Sequence, residues 1–119
     1  MAEERSGRVP GAERAVIEER KLTGWVLAEH GHGPDFRRAL GVEPGDRELV
    51  RTALLVHVRE QPVDGVRASH RLAGPQARDW AVLGPLEVRG RRAWVRSVWQ
   101  VSAPGAPARL ITAYPCRPG

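Results

Sequence analysis

The sequence predicts a single α+β domain in which two to three N-terminal helices pack on a three- to four-stranded antiparallel meander sheet. Three observations carry this reading. Apolar residues in the first half recur at helical spacing, most clearly at Leu49, Val50, Ala53, Leu54 and His57 or Val58. After Gly65 the spacing changes, and from Trp80 onward apolar and polar residues alternate with the period of a strand. The chain has 119 residues, enough for one domain and too few for two.

Residues 1–12 place Ser6, Gly7, Pro10 and Gly11 among charges and read as a disordered tail, with the domain spanning residues 13–116. A first helix is expected near residues 18–29. Leu22, Trp25 and Val26 make its apolar step, Gly24 weakens it by about 1 kcal/mol relative to Ala, and Gly31 and Gly33 stop it. Pro34 and Asp35 start a short second helix, DFRRAL, that ends at Gly41 with Phe36 and Leu40 facing the core. Pro44 and Asp46 start the third, which ends near Glu60 before Pro62, with Glu48 and Arg51 paired on its solvent side.

Residues 66–78 read as strand-like VRASHRL followed by a turn, GPQAR. The segment DWAVLGPLEV is a strand bent at Gly84-Pro85, and Arg89-Gly90 is a hairpin turn. The longest strand, RRAWVRSVWQVS, puts Ala93, Val95, Ser97, Trp99 and Val101 on one face and Trp94, Arg96, Val98 and Gln100 on the other. After the turn APGAPA, the closing strand RLITAYP puts Leu110, Thr112 and Tyr114 on one face and Ile111 and Ala113 on the other.

The net charge of +5 is unevenly placed. Residues 1–64 carry 10 Lys/Arg and 12 Asp/Glu, whereas residues 65–119 carry 9 Arg and only Asp79 and Glu87 as acids. A basic sheet attracts polyanions. Lys21 is the only lysine, so general replacement of Lys by Arg would also load this half with arginine. Cys116 is the only cysteine, which leaves no intrachain disulfide and no thiolate metal site. The charged N-terminus lacks the apolar run of a signal peptide, and no stretch approaches the ~20 apolar residues that span a bilayer. The expected location is the cytoplasm, or outside the cell only within a larger toxin chain. No membrane partner and no cofactor are expected.

The strings KLTGWVLAEHGHG, FRRALGV, RRAWVRSVW and RLITAYP together resemble a family of small bacterial domains of unknown function. Its motifs are K-L-x-x-Y/W-L-L, a short F-x-x-x-G segment, a strand ending in V-W, and a terminal T-A-Y-P. The resemblance covers roughly residues 18–115, and the closing strand is its most specific part. The order of helices followed by a meander is also similar to the barnase–EndoU–colicin–RelE group of toxin-like, metal-independent ribonucleases. That resemblance implies RNA cleavage on the sheet. The chain departs from the family where a Gly–Lys pair usually precedes the Phe segment, since Gly33-Pro34-Asp35 stands there. A phosphate-binding lysine would have to be replaced by Arg37 or Arg38.

Metal-independent RNA cleavage needs a base for the 2′-hydroxyl proton, an acid for the leaving oxygen and cations for the phosphorane. The expected catalytic set is His70, His30, Arg96, Thr112 and Tyr114, with no metal. Thr112 and Tyr114 enter it partly on the resemblance, for both are also ordinary strand formers. His30 and His32 flank Gly31, either as a pair facing the sheet or as a polar helix stop. His57 belongs with the core stripe. Arg71, Arg91, Arg92, Trp94 and Arg109 are expected to bind nucleic acid, Trp94 by stacking and Arg96 by clamping phosphate. RNA or another polyanion, or a cognate protein, is the expected partner. The competing function is a non-catalytic protein- or ligand-binding accessory domain. A third, an immunity-like partner, sits poorly with the basic charge. The ribonuclease reading fails if the basic sheet face is sealed beneath the helices or if its guanidiniums are all tied up by carboxylates.

Overall fold

The computed structural model describes residues 7–117. It is an α+β fold, with three helices preceding a four-stranded antiparallel sheet of order β1-β2-β3-β4. Helix α1 is an α-helical turn, Glu19–Lys21, that widens into a π-helical turn, Leu22–Val26. Helices α2 and α3 span Gly33–Leu40 and Arg47–Glu60. The strands are β1 Val63–Ala68, β2 Arg78–Val88, β3 Arg91–Val101 and β4 Arg109–Pro115.

Local chemistry explains the boundaries. Pro34 occupies the first turn of α2, and Gly41 ends it in the left-handed conformation at φ 70°, where its N–H reaches the Arg37 carbonyl. Before α3, Glu43 and Asp46 cap each other reciprocally across the turn Pro44–Asp46. The β2–β3 hairpin turns on Arg89 and Gly90, both at positive φ (51° and 82°), as two-residue hairpins with the twist of the flanking strands require.

All three helices contact the sheet, α3 mainly against β2, α2 against β3 and β4, and α1 beside β4. The face beneath them is made by every second residue of β3, with Val95, Ser97, Trp99 and Val101 all buried. Phe36 and Leu40 from α2, and Val50, Leu54 and Val58 from α3, complete the core. Leu49 was expected in that stripe and is instead exposed, because the face of α3 that meets β2 centres on Val50, Leu54 and His57.

Three expectations need correction. Residues 7–12 are not a tail: Val9 and Ala12 are buried in the core, and the segment runs beside β4, with the Gly11 carbonyl accepting from Ala108 N–H and Val16 bridging Arg109 in parallel. Residues 1–6 of the expected tail lie outside the described residues. In β4, the register slips between Val98 and Trp99, so that Leu110 pairs with Trp99 and Thr112 with Val98, and Ile111 is the extra residue. Leu110 therefore joins the core face, opposite to Thr112 and Tyr114. Finally, α1 is shorter than its sequence pattern. It widens around Gly24, and the Leu27 N–H donates to the Leu22 carbonyl five residues back at 2.8 Å.

One buried polar chain crosses the core. Trp99 Nε1 donates to Ser97 Oγ at 2.8 Å, and His57 contacts Ser97 Oγ through Nδ1 at 2.9 Å and the Gly84 carbonyl through Nε2 at 3.1 Å. A carbonyl only accepts, so Nε2 carries the proton. Nδ1 then accepts from the Ser97 hydroxyl, and every group is satisfied with a neutral imidazole. Burial pushes the His57 pKa below its ordinary 6.5, against smaller opposing contributions from the backbone at Gly84 and Val95. Above pH 6.5 both folded and unfolded states hold it neutral. Below that, the unfolded chain takes up a proton that the folded chain resists. Stability is therefore expected to fall as pH drops from 6.5 to 5.5, by up to about 1.4 kcal/mol per unit. Urea midpoints across that window check this, and His57→Gln should flatten the slope; an unchanged slope in the variant would assign it to another group.

Candidate functional site

The sheet face turned away from the helices is uncovered over much of its area. On it, the pairing sets Arg96 directly across from Tyr114, and Val98 across from Thr112. Directly opposed residues on one face stand about 4.5–5.5 Å apart at Cα. A groove of about 350 Å³ runs over this surface between β1 and Tyr114, lined by Arg67, Asp79, Arg96 and Val98 among others.

The loop after α1 leans over the β4 side of this face. In a regular helix Leu22, Trp25 and Val26 would share one stripe. The wider π turn leaves Leu22 and Val26 buried and turns Trp25 outward, 40% exposed, so that its Nε1 donates to Thr112 Oγ1 at 3.0 Å. The chain then folds back tightly. Gly31 and Gly33 N–H both donate to the Ala28 carbonyl, and His32 N–H donates to the Trp25 carbonyl at 3.0 Å. This return sets both imidazoles against the indole. The His30 ring lies 6.2 Å from Trp25, and the His32 ring 5.4 Å from it, edge-on. The His32 ring is also 5.3 Å from the Tyr114 ring, and its Nδ1 is 3.6 Å from Asp35 Oδ2.

Gly31 is required by this return, since a Cβ there would overlap the Trp25 carbonyl. Gly31→Ala is expected to cost about 1–3 kcal/mol and to displace both rings. Thermal unfolding and the fluorescence of Trp25, compared with a Trp25→Phe background, measure the two effects. A variant as stable as the parent with unchanged indole emission would show that the loop is not constrained.

The pairing of Arg96 is the feature that the sequence concealed. Asp64 is the extra residue at an irregularity between Val63 and Gly65 of β1, and its Oδ2 accepts from Arg96 Nη1 at 2.5 Å. Asp64 falls in the half counted as acidic, yet the meander brings it onto the arginine-bearing face. The face is uncovered, and of the guanidiniums on it Arg96 is tied to a carboxylate whereas Arg67 makes no ion pair among the described residues.

The expected site residues fall into separate groups. Thr112 bonds Trp25, both imidazoles lie against that indole, His32 rather than His30 lies against Tyr114, and Arg96 stands across the ladder from Tyr114. His70 is not brought to this group. It opens the exposed turn Arg71–Ala73 beyond β1, next to Ser69, whose Oγ accepts from Gln100 Nε2 at 2.8 Å. Gln100 is four residues from Arg96, about 13 Å along an extended strand. Arg71 lies in the same turn, and Arg109 stands across from Gln100, 3.6 Å from Glu18. At the other end, Trp94 is 42% exposed opposite Pro85, and Arg92 stands opposite Glu87. Arg91 is opposite the buried Val88, with its guanidinium beside Gly41 at the end of α2, which removes it from the open face. Among the described residues, no three His, Cys, Asp or Glu side chains cluster in a way that could hold a metal ion, and no helix is long and apolar enough to cross a membrane.

A family model described as "Domain of unknown function (DUF6883)" matches residues 8–117, nearly the whole chain, including the N-terminal segment that packs along β4. The chain belongs to this family. No curated protein and no solved structure matches it.

Proposed function

We propose that this domain binds single-stranded RNA across the open sheet face and cleaves it without a metal ion. One observation carries the reading: the His32 imidazole lies against the Tyr114 ring, tilted at 5.3 Å, and Tyr114 stands across from Arg96. A base, a hydroxyl donor and a guanidinium are the three groups that the reaction needs, and Arg96 must exchange its pairing with Asp64 for the phosphate to serve in it. His32 takes the proton of the 2′-hydroxyl as that oxygen attacks phosphorus. The bond to the 5′-oxygen breaks, and Tyr114 gives the leaving oxygen its proton. Arg96 holds the non-bridging oxygens, and solvent returns the proton from His32 to Tyr114. The products are a 2′,3′-cyclic phosphate and a free 5′-hydroxyl. Asp35 beside Nδ1 orients the ring and leaves Nε2 for the substrate. The resemblance of the helices-then-meander order to barnase-like ribonucleases supports the same reaction.

The Asp64–Arg96 ion pair favours a second reading, an accessory module that binds RNA without cutting it. Labelled RNA incubated with the protein in excess chelator separates the two. Fragments ending in cyclic phosphate are expected. Intact RNA held with an affinity that falls steeply with salt would leave the binding module, and RNA neither cut nor held would remove both readings.

A further inference from the structure

The two edges of the sheet are finished differently. Along β4 the N-terminal segment covers the outer edge: Val16 N–H donates to the Ala108 carbonyl, Leu110 N–H to the Val16 carbonyl, and Ala108 N–H to the Gly11 carbonyl. On the other side β1 is the terminal strand, and no segment among the described residues pairs with its outer edge. The Ser69 N–H turns inward to the Ala77 carbonyl, so alternation turns the backbone groups of Val66 and Ala68 outward. The Val66 side chain, in the middle of this edge, is 51% exposed. An open edge with an apolar residue at its centre is a template for another strand.

Charge decides which strand fits. Glu60 and Asp64 precede Val66, and Arg67 and Arg71 follow it. Charges on an edge generally deter pairing. This order does the opposite when the edge meets its own copy antiparallel. Setting Val66 across from Val66 of a second copy puts Arg67 across from that copy's Gly65, which has no side chain to block it, and beside its Asp64. Asp64 gives Oδ2 to Arg96, which leaves Oδ1 for the incoming guanidinium. The same register carries Arg71 toward Glu60. Glu60, Arg67 and Arg71 make no ion pair among the described residues. A parallel arrangement would set like charges together instead.

We propose that a second copy of this chain pairs with the free edge of β1, antiparallel and centred on Val66, so that the two four-stranded sheets become one. The two-fold axis stands perpendicular to the joined sheet, and both open faces lie on the same side of it. The covered β4 edges stop growth at two chains. β1 has six residues, so the interface is small and the dimer is transient, with a dissociation constant in the micromolar range.

Sedimentation velocity across about 1–1,000 µM protein tests this, with the mean mass expected to rise from one chain toward two. Val66→Pro removes an outward N–H without touching the ladder to β2, and should weaken association about ten-fold or more. In a Cys116→Ser background, Val66→Cys should form an interchain disulfide under mild oxidant, because directly paired residues stand about 5.5 Å apart at Cα. Leu72→Cys, at a residue 88% exposed but off the axis, should not. The linking experiment keeps the edge backbone intact, so it decides the matter even where Val66→Pro fails to fold. A single-chain mass at every concentration would overturn the proposal. A dimer unaffected by Val66→Pro, or Leu72→Cys linking as readily as Val66→Cys, would also overturn it by placing the contact elsewhere.

Discussion

Trp99→Ala is expected to remove most of the stability of the domain. The side chain is fully buried, lies on the central β3 strand, and supplies the N–H that begins the polar chain through Ser97 and His57 to Gly84. Truncating a buried tryptophan costs about 3–5 kcal/mol through lost transfer energy and the cavity left behind. Domains of this size hold about 5–15 kcal/mol in total. The hydrogen bond adds a smaller amount, and Trp99→Phe isolates much of it: most of the apolar volume stays while Ser97 Oγ loses its donor. Urea denaturation should place Trp99→Ala far below the parent and Trp99→Phe between them. A loss under about 1 kcal/mol for the alanine variant would mean that the core is not organised around β3.

His32→Ala and Tyr114→Phe are expected to lower RNA turnover by about 10²–10⁴-fold each, the usual contribution of a positioned acid or base. Both residues are partly exposed, and neither belongs to the core cluster, so folding should change little. Tyr114→Phe is the sharper probe because it keeps the ring against His32 and removes only the hydroxyl. The two losses should not multiply, since the groups act on one proton-transfer sequence. His70→Ala, remote from the group, should leave turnover unchanged. Single-turnover rates under chelator decide the matter. Full activity in Tyr114→Phe would remove the proposed acid, and a large loss in His70→Ala would place the chemistry at the other end of the sheet.

Much of this architecture was legible in the residues. The alternation in RRAWVRSVWQV assigned both faces of β3, because one face is buried and a period of two admits no compromise. Phe36, Leu40 and the end of α3 before Pro62 were equally plain. What escaped were features that break a period. Ile111 bulges and sends Leu110 to the core, and the widened turn around Gly24 takes Trp25 out of its stripe. Such irregularities leave little trace in composition. Asp64 was missed for another reason: charge was counted along the chain, whereas its meeting with Arg96 depends on strand pairing. Likewise, the sequence pointed to two histidines around Gly31, and only the backbone return shows that His32 is the one against Tyr114. Val9 and Ala12 sit among glycine, proline and charge, and nothing periodic marks them as core.

The widened turn of α1 has a genetic consequence. A π turn holds one more residue than the α-helical turn that it replaces, so a single codon separates the two. Deleting Gly24 would let the segment wind as an ordinary helix, keep Leu22 seated in the interior, and bring the indole round by about a quarter-turn, 100° per residue. The scaffold would survive while the aromatic lid over β4 vanished. The proposed activity is thus expected to be one in-frame deletion away from being switched off with the protein still folded.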